Sequence, residues 1–130
     1  MDSPKGQPPA PRRFTILVVE DETAVRDFVI ELLATKGFTV LSARDAYEAI
    51  GIIADRHVDL LFTDIVMPGA DGFDLAAQAK LIRPTLKVLY STGFAEKAHG
   101  RYAPRFGKLL EKPIRAEALL AEVDEALNRK

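Results

Sequence analysis

The sequence predicts an α/β fold built on a doubly wound, five-stranded parallel sheet, and two observations lead to it. Short apolar runs alternate five times with segments whose apolar residues recur at helical spacing. Such alternation is typical of parallel sheets, because each crossover helix must cover one face of the sheet. Several apolar runs also end in a charged or hydroxyl residue, and folds of this kind bind ligands at the carboxyl ends of their strands.

The five predicted strands are short and rich in β-branched or other apolar residues. They cover residues 14–19, 38–43, 58–63, 87–92 and 107–112. The first ends abruptly at the acids Glu20 and Asp21, and the third ends at Asp64, which a turn-rich MPGADG loop follows. These strand ends are the first indication of a site.

Four helical stripes are predicted between and after the strands, and Gly37 is a plausible stop for the first. Their members are Val25, Phe28, Val29, Leu32 and Leu33; Ala46, Ala49, Ile50 and Ile53; Leu75, Ala79 and Ile82; and Ala116, Leu119, Leu120, Val123 and Leu127. Between the fourth and fifth strands, three glycines and a proline weaken the pattern, so a short or mobile fourth helix is expected there. We expect Tyr47, Tyr90 and Tyr102 to pack in these patterns, with a partner surface as the alternative.

Length and composition indicate one globular domain, which we place at 14–130 after a flexible, proline-rich tail at 1–13. The tail has no long apolar run, so we expect neither a signal peptide nor a membrane span there. A formal net charge of −1 gives no electrostatic reason to expect nucleic acid or anionic lipid as a partner. The absence of cysteine excludes disulfides and thiolate metal sites and fits a cytoplasmic location.

Five polar groups lie at or just beyond the ends of four predicted strands, and the fold would bring them together. They are Glu20, Asp21, Asp64, Thr92 and Lys112. Carboxylates that converge repel one another unless a cation compensates them, and such hard oxygen ligands suit Mg²⁺. Asp64 also interrupts an apolar run, where an unpaired buried charge would be costly. Taken singly, the other residues have plainer interpretations: the acidic cluster as a solvated helix N-terminus, Thr92 and Lys112 as ordinary strand-end residues.

Four motifs, in order, resemble the receiver domain of response regulators over residues 14–128. They are ILVVEDE, TDIVMPGADG, YSTGF and EKPI. Any one would be a weak signal, but four in order are a strong one. The resemblance implies the flavodoxin-like receiver fold, in which five β/α units follow one another.

The resemblance also implies that Asp64 accepts a phosphoryl group from a phosphohistidine on a histidine kinase or a histidine phosphotransfer protein. Asp21 and Asp64 would bind Mg²⁺ directly, the backbone carbonyl of Val66 would complete the protein ligands, and Glu20 would act largely through coordinated water. The chain would then be a stoichiometric phosphorylation switch, monomeric or weakly dimeric, acting on an unknown protein target, and not a turnover enzyme.

Two more residues take roles from the resemblance. Lys112 would neutralise one phosphate oxygen, and Thr92 would bond another after phosphorylation. The peptide bond between Lys112 and Pro113 is typically cis in the family and turns the lysine towards the site. His57 and His99 lie outside the inferred site, and we interpret both as surface residues.

The chain departs from the family pattern at several positions. Glu20 adds one methylene to the first acid, and Leu109 replaces an aromatic residue whose ring swings inward on activation in many receivers. Val66 and Phe94 are apolar where rapidly dephosphorylating receivers often carry polar groups, so we expect a long-lived phosphoryl group. The YSTGF motif resembles receivers attached to hybrid histidine kinases, so a free-standing regulator and a piece of such a kinase both remain open.

Three other functions fit the sequence less well. A small Mg²⁺-dependent phosphohydrolase usually needs a second acid after the nucleophile, where Ile65 and Val66 stand. A flavodoxin-like cofactor binder would need a glycine-rich phosphate loop after the first strand, where the sequence is EDETA. A pseudo-receiver that signals without phosphorylation would require the loss of an essential group, and none of the five is lost.

Overall fold

The structure is a computed structural model that describes residues 13–93 and 106–128. Its strands are β1 (Thr15–Val19), β2 (Thr39–Ala43), β3 (Leu60–Asp64), β4 (Lys87–Thr92) and β5 (Leu109–Glu111). The helices of the described residues are α1 (Thr23–Thr35), α2 (Ala46–Asp55), α3 (Gly72–Ile82) and α4 (Ala116–Asn128).

All five strands run parallel in one sheet, in the order β2-β1-β3-β4-β5. This confirms the predicted fold class. The chain moves outward from β1 to β2 and then crosses to the other side of β1 to add β3. The strand order therefore reverses between β1 and β3, and such a switch point opens a crevice at the carboxyl ends of the two strands.

Two cores cover the two faces of the sheet, because successive side chains of a strand point to opposite sides. Leu17, Leu61 and Tyr90 belong to the core beneath α2 and α3. Ile16 and Phe62 belong to the core beneath α1 and α4. Burial on both faces explains why the central strands are continuous apolar runs, with few polar residues before their ends.

The helix ends follow from local sequence. Gly37 adopts a φ of 96°, and its N–H donates to the Ala34 carbonyl at 3.0 Å, so it terminates α1 as predicted. The side chains of Asp45 and Asp71 cap the N-termini of α2 and α3, each accepting a backbone N–H at 2.8 Å. Helices α2 and α3 thus have fixed starting points.

Three sequence predictions about packing are wrong. The sequence pattern places Phe28 and Ile82 on inner helical stripes, but they are 45% and 42% exposed. It also predicts that Tyr47 packs, but Tyr47 is 92% exposed. Helices α1 and α3 therefore bury a narrower stripe than the sequence pattern suggests. Tyr47 comes one residue after Ala46, and one residue rotates a helix by about 100°, which turns its ring towards solvent. Tyr90, in contrast, is fully buried, as predicted.

The boundaries of four strands also differ from the prediction. The first and second strands begin one residue later than predicted, at Thr15 and Thr39. The third strand begins at Leu60 instead of Val58, and the fifth is limited to Leu109–Glu111. The predicted tail, except for its last residue, the helix expected after the fourth strand, and the residues Phe94, His99 and Tyr102 lie outside the described residues. Within the described part of the chain, no helix combines the length and apolar character that crossing a bilayer requires.

Candidate functional site

Three carboxylates meet at the crevice between β1 and β3. Glu20 and Asp21 directly follow β1, and Asp64 is the last residue of β3. Because Val19 pairs with Thr63, the residues that follow each come side by side. Glu20, Asp21 and Asp64 each offer a carboxylate oxygen, and these oxygens all lie within 4.8 Å of one another. Glu20 and Asp64 are buried, with 3% and 5% exposure, whereas Asp21 is exposed.

A single ammonium group lies between two of these carboxylates. Lys112 Nζ is 2.9 Å from Glu20 Oε1 and 3.1 Å from Asp64 Oδ2. Lys112 follows the short strand β5, and its backbone N–H donates to the Thr92 carbonyl at 2.9 Å. The peptide bond between Lys112 and Pro113 is cis. The edge strand therefore contributes the positive charge to a site whose acids come from two central strands.

Burial governs the ionisation of the two inner acids. It raises the pKa of Glu20, although hydrogen bonds from Lys112 and the Glu22 N–H oppose the effect. It likewise raises the pKa of Asp64, against the charge and hydrogen bond of Lys112, and Asp21 raises it further. Burial alone would lower the pKa of Lys112, but its hydrogen bond to Glu20 and its attraction to Asp64 outweigh this, and the net pKa is raised. One ammonium thus compensates only part of the negative charge.

The backbone of the first acid is firmly held. The Glu20 N–H donates to the Ala43 carbonyl at 3.1 Å, and Arg26 Nη1 donates to the Glu20 carbonyl at 2.7 Å. The Glu22 N–H donates to Glu20 Oε2 at 3.0 Å. Sequence reasoning missed Arg26, and only its place one turn after the acidic cluster could have suggested it.

The acceptor candidate Asp64 is held by a close approach of α3. The Gly72 N–H donates to the Ile65 carbonyl at 2.8 Å. A Cβ at Gly72 would overlap the carbonyl oxygen of Asp64, so only glycine lets the start of α3 come so near. Sequence reasoning missed this contact as well, although a glycine at a helix start was a usable signal.

The remaining predicted residues lie at the same edge of the sheet. An open depression is lined by Asp21, Glu22, Asp64, Val66, Gly93 and Lys112. The Val66 backbone N–H donates to the Asp64 carboxylate. Thr92 is fully buried at the end of β4, next to Gly93 in the chain. The structure therefore brings all the predicted site residues to one edge, with Glu20 and Thr92 buried behind the lining.

His57 lies away from this site, as predicted. It precedes β3 at the amino edge of the sheet, its side chain is 63% exposed, and Nε2 is 2.8 Å from Asp59 Oδ1. Asp59 Oδ2 accepts the Thr15 N–H at 2.8 Å, which ties the starts of β1 and β3 together. The contact between His57 and Asp59 is therefore part of the structure at the amino edge of the sheet and not part of the acidic site.

The donor set fits a small, hard cation. Three carboxylate oxygens can reach a common point, and the exposed Asp21 and the half-exposed Val66 border an opening to solvent. Mg²⁺ prefers one or two carboxylates together with waters and phosphate oxygens, so a partly open acidic site suits it. The arrangement can compensate charge around a phosphoryl group placed against Asp64.

Comparison with known proteins agrees with this geometry. The sequence model of the response regulator receiver domain matches residues 16–124. Response regulator receiver protein CpdR of Brucella abortus (strain 2308) is 37% identical over 114 residues, which are 86% of this chain and 95% of that protein. Sensor kinase CckA of the same strain is 35% identical over 119 residues, 88% of this chain but only 13% of that protein.

Solved structures give the same result. The receiver domain from hybrid histidine kinase CckA superposes with a TM-score of 0.77 at 34% identity, covering 88% of this chain and 99% of that one. The chain thus spans nearly all of one relative and a small part of another. From its fold, its acidic site and these similarities, the chain belongs to the response regulator receiver family.

Proposed function

We propose that the protein is the phosphoacceptor of a two-component phosphorelay and that Asp64 receives the phosphoryl group. The observation that carries this proposal is the buried Asp64 carboxylate at the switch point of the sheet, with the Lys112 ammonium 3.1 Å away. A buried carboxylate with a raised pKa and a specific charge partner in a crevice is typical of a functional group.

In the proposed reaction, a carboxylate oxygen of Asp64 attacks the phosphorus of a phosphohistidine on the donor. The bond between phosphorus and the imidazole nitrogen breaks, and the imidazole keeps the electron pair. The product is an acyl phosphate on Asp64. Such transfer demands mainly positioning and compensation of charge, and Lys112, 3.1 Å from Asp64 Oδ2, can supply positive charge to a phosphoryl oxygen bound there. Thr92 is proposed to donate its hydroxyl to another.

Glu20, Asp21, Asp64 and the backbone carbonyl of Val66 would hold Mg²⁺. When bound, the cation supplies the positive charge that three carboxylates and an incoming phosphoryl group lack. The clustering of the three acids within 4.8 Å supports this assignment.

The donor is proposed to be a histidine kinase or a histidine phosphotransfer protein, in the cytoplasm. The names of two relatives, a receiver protein and a sensor kinase, support a place in such a system. Each Asp64 accepts one phosphoryl group, so the protein acts as a stoichiometric switch and not as a turnover enzyme. Its downstream protein target is not specified by these features.

The conformational response is proposed to use elements other than a β5 aromatic. Leu109 pairs in register with Tyr90 of β4 and packs against the core under α2 and α3. Tyr90 in turn contacts Phe73 of α3, with ring centroids 4.9 Å apart and the ring planes tilted by 49°. The aromatic groups on this face are therefore supplied by β4, by α3 and by Phe106, among the described residues, and not by β5.

Acetyl phosphate with Mg²⁺, followed by intact-mass measurement, tests the proposal. Wild type should gain one phosphoryl mass, and Asp64→Ala and Asp64→Asn should gain none. Asp71→Asn is the matched control, because Asn preserves the cap of α3 and the position lies outside the site, so it should be labelled like wild type. Equal labelling of Asp64→Ala and wild type would contradict the proposal.

A further inference from the structure

Lys112 acts as an internal cation in the acidic site. Its ammonium contacts Glu20 Oε1 at 2.9 Å and Asp64 Oδ2 at 3.1 Å, so it bridges two of the three carboxylates. The side chain of Lys112 is 19% exposed, and the side chains of its two partners are 4% and 7% exposed. Both ion pairs are therefore shielded from solvent and respond strongly to any other charge that enters.

Both carboxylate oxygens of Glu20 are already engaged. Oε1 contacts Lys112, and Oε2 accepts the Glu22 N–H at 3.0 Å. The Glu20 backbone is held at both its N–H and its carbonyl, by Ala43 and Arg26. Each Glu20 oxygen thus already has a partner within the protein, and a cation at Oε1 would lie beside the Lys112 ammonium, whose positive charge repels it.

The length of the Glu20 side chain makes this bridge possible. An aspartate on the same fixed backbone would be shorter by one methylene, or about 1.5 Å. A distance of 2.9 Å to Lys112 would then open beyond that of a direct ion pair. Lys112 would then form an ion pair with Asp64 alone.

We propose that Glu20 lowers the affinity of the site for Mg²⁺ by holding Lys112 across it, so that the cation binds only when the lysine leaves Glu20. The proposal rests on the proposed function, because it concerns the same metal site. Cation binding and the release of Lys112 are then one event. The freed ammonium becomes available for a phosphoryl oxygen only when the cation is in place.

The test is a double-mutant cycle on Mg²⁺ affinity, measured by calorimetric titration at fixed pH and ionic strength. The proteins are wild type, Glu20→Asp, Lys112→Met and the double variant. Glu20→Asp should tighten Mg²⁺ binding about fivefold when Lys112 is present, and less than about twofold in the Lys112→Met background, because groups in one network are coupled. An equal effect in both backgrounds, or weaker binding by Glu20→Asp, would overturn the proposal.

Lys108→Met is the matched control for the change in charge. Lys108 also contacts two carboxylates, those of Glu122 and Glu125, but its side chain is 54% exposed and none of the three lines the acidic depression. Its replacement should leave Mg²⁺ affinity within twofold of wild type. A tightening equal to that of Lys112→Met would show a general charge effect and count against the proposal.

A second measurement needs no variant and so does not depend on folding of the Lys112 mutant. Side-chain nitrogen NMR of the wild type should show the Lys112 ammonium signal shifting as Mg²⁺ is added, while that of Lys108 stays constant. An unchanged Lys112 signal at saturating Mg²⁺ would overturn the proposal that Mg²⁺ binding releases Lys112 from Glu20. Phosphorylation of the same wild-type sample by acetyl phosphate reports separately on the proposed function, since it can succeed whether or not the lysine moves.

Discussion

Two lysines at opposite ends of β5 make the same kind of contact in different surroundings. Lys108 precedes the strand and lies 3.5 Å from Glu122 and 2.6 Å from Glu125. Lys112 follows the strand and lies 2.9 Å from Glu20 and 3.1 Å from Asp64. The side chain of Lys108 is 54% exposed and that of Lys112 is 19% exposed. Contact geometry alone therefore does not distinguish the two clusters.

Burial separates their roles. Exposed ion pairs contribute little to stability, because solvent screens them and two long side chains must be ordered. The inner cluster takes charges out of water, and its carboxylates respond with raised pKa values. A fold gains no clear stability from such an arrangement, so we attribute the inner cluster to chemistry and the outer one to the surface of α4.

The largest expected difference between the two lysines is in phosphorylation. Lys112→Met should slow labelling by acetyl phosphate at saturating Mg²⁺ by about a hundredfold, the usual loss when one preorganised positive or hydrogen-bonding group is removed. Lys108→Met should stay within twofold of wild type. The initial rate of mass gain measures both, and equal rates for the two variants would show that the two lysines do not differ in function.

Two helical glycines also differ in their surroundings: Gly72 lies against the backbone of the site, and Gly51 is exposed. Gly72→Ala should destabilise the protein by about 2–3 kcal/mol, because its Cβ would meet the Asp64 carbonyl. Gly51→Ala, in the exposed middle of α2 with no atom within 4 Å of its Cβ, should stabilise by about 0.5–1 kcal/mol. Urea unfolding of the two variants measures both effects. Two changes of the same sign would show that the close approach at Asp64 is not a constraint.

Dephosphorylation should be slow and should depend on Val66. This residue is 50% exposed at the mouth of the site and offers no side-chain polar group to position water. Val66→Asn should shorten the phosphoryl half-life about tenfold, less than a fully placed general base contributes. Leu81→Asn, at another exposed apolar position outside the site lining, should leave it unchanged. Decay of the phosphorylated mass gives the half-life, and a wild-type value of seconds would contradict this expectation.

The smallest effect concerns pH. Burial raises the pKa of Asp64 above the ordinary 3.8, so the folded state binds this proton more readily than the unfolded state. The ionised carboxylate therefore weakens the fold above its folded pKa, and the penalty disappears as the pH falls towards 3.8.

Asp64→Asn should accordingly melt higher than wild type at pH 7 without Mg²⁺, on the order of 4 °C for a domain of this size. The difference in melting temperature between Asp64→Asn and wild type should shrink as the pH is lowered towards 4. Asp71→Asn, at the cap of α3, serves as control. A difference in melting temperature that widens in acid would contradict the claim that burial raises the pKa of Asp64.

Much of the fold and of the acidic site could be predicted from the sequence. The alternation of apolar runs and helical stripes gave the sheet, and the polar residues at strand ends gave Asp64, Glu20 and Asp21 as neighbours. Both depend on local patterns that parallel sheets impose. The exposure of Phe28 and Tyr47 could not be predicted, because it depends on how each helix is rotated against the sheet.

The contacts that support the site also escaped prediction. Arg26 binds a backbone carbonyl, and Gly72 is required by a neighbouring backbone, so neither leaves a side-chain pattern at a fixed spacing. The pairing of Lys112 with Glu20 joins two residues that lie at opposite ends of the chain and depends on a side-chain length. Such details are set by tertiary structure.

The central claim, a Mg²⁺-dependent acyl phosphate on Asp64, is tested most directly by locating the modification. Wild type would be treated with acetyl phosphate in Mg²⁺ or in EDTA, reduced with borohydride to trap the acyl phosphate, digested, and sequenced by tandem mass spectrometry. We expect a reduced residue at position 64, formed in Mg²⁺ and absent in EDTA. Trapping at another carboxylate, or equal trapping at Asp64 in EDTA, would contradict it.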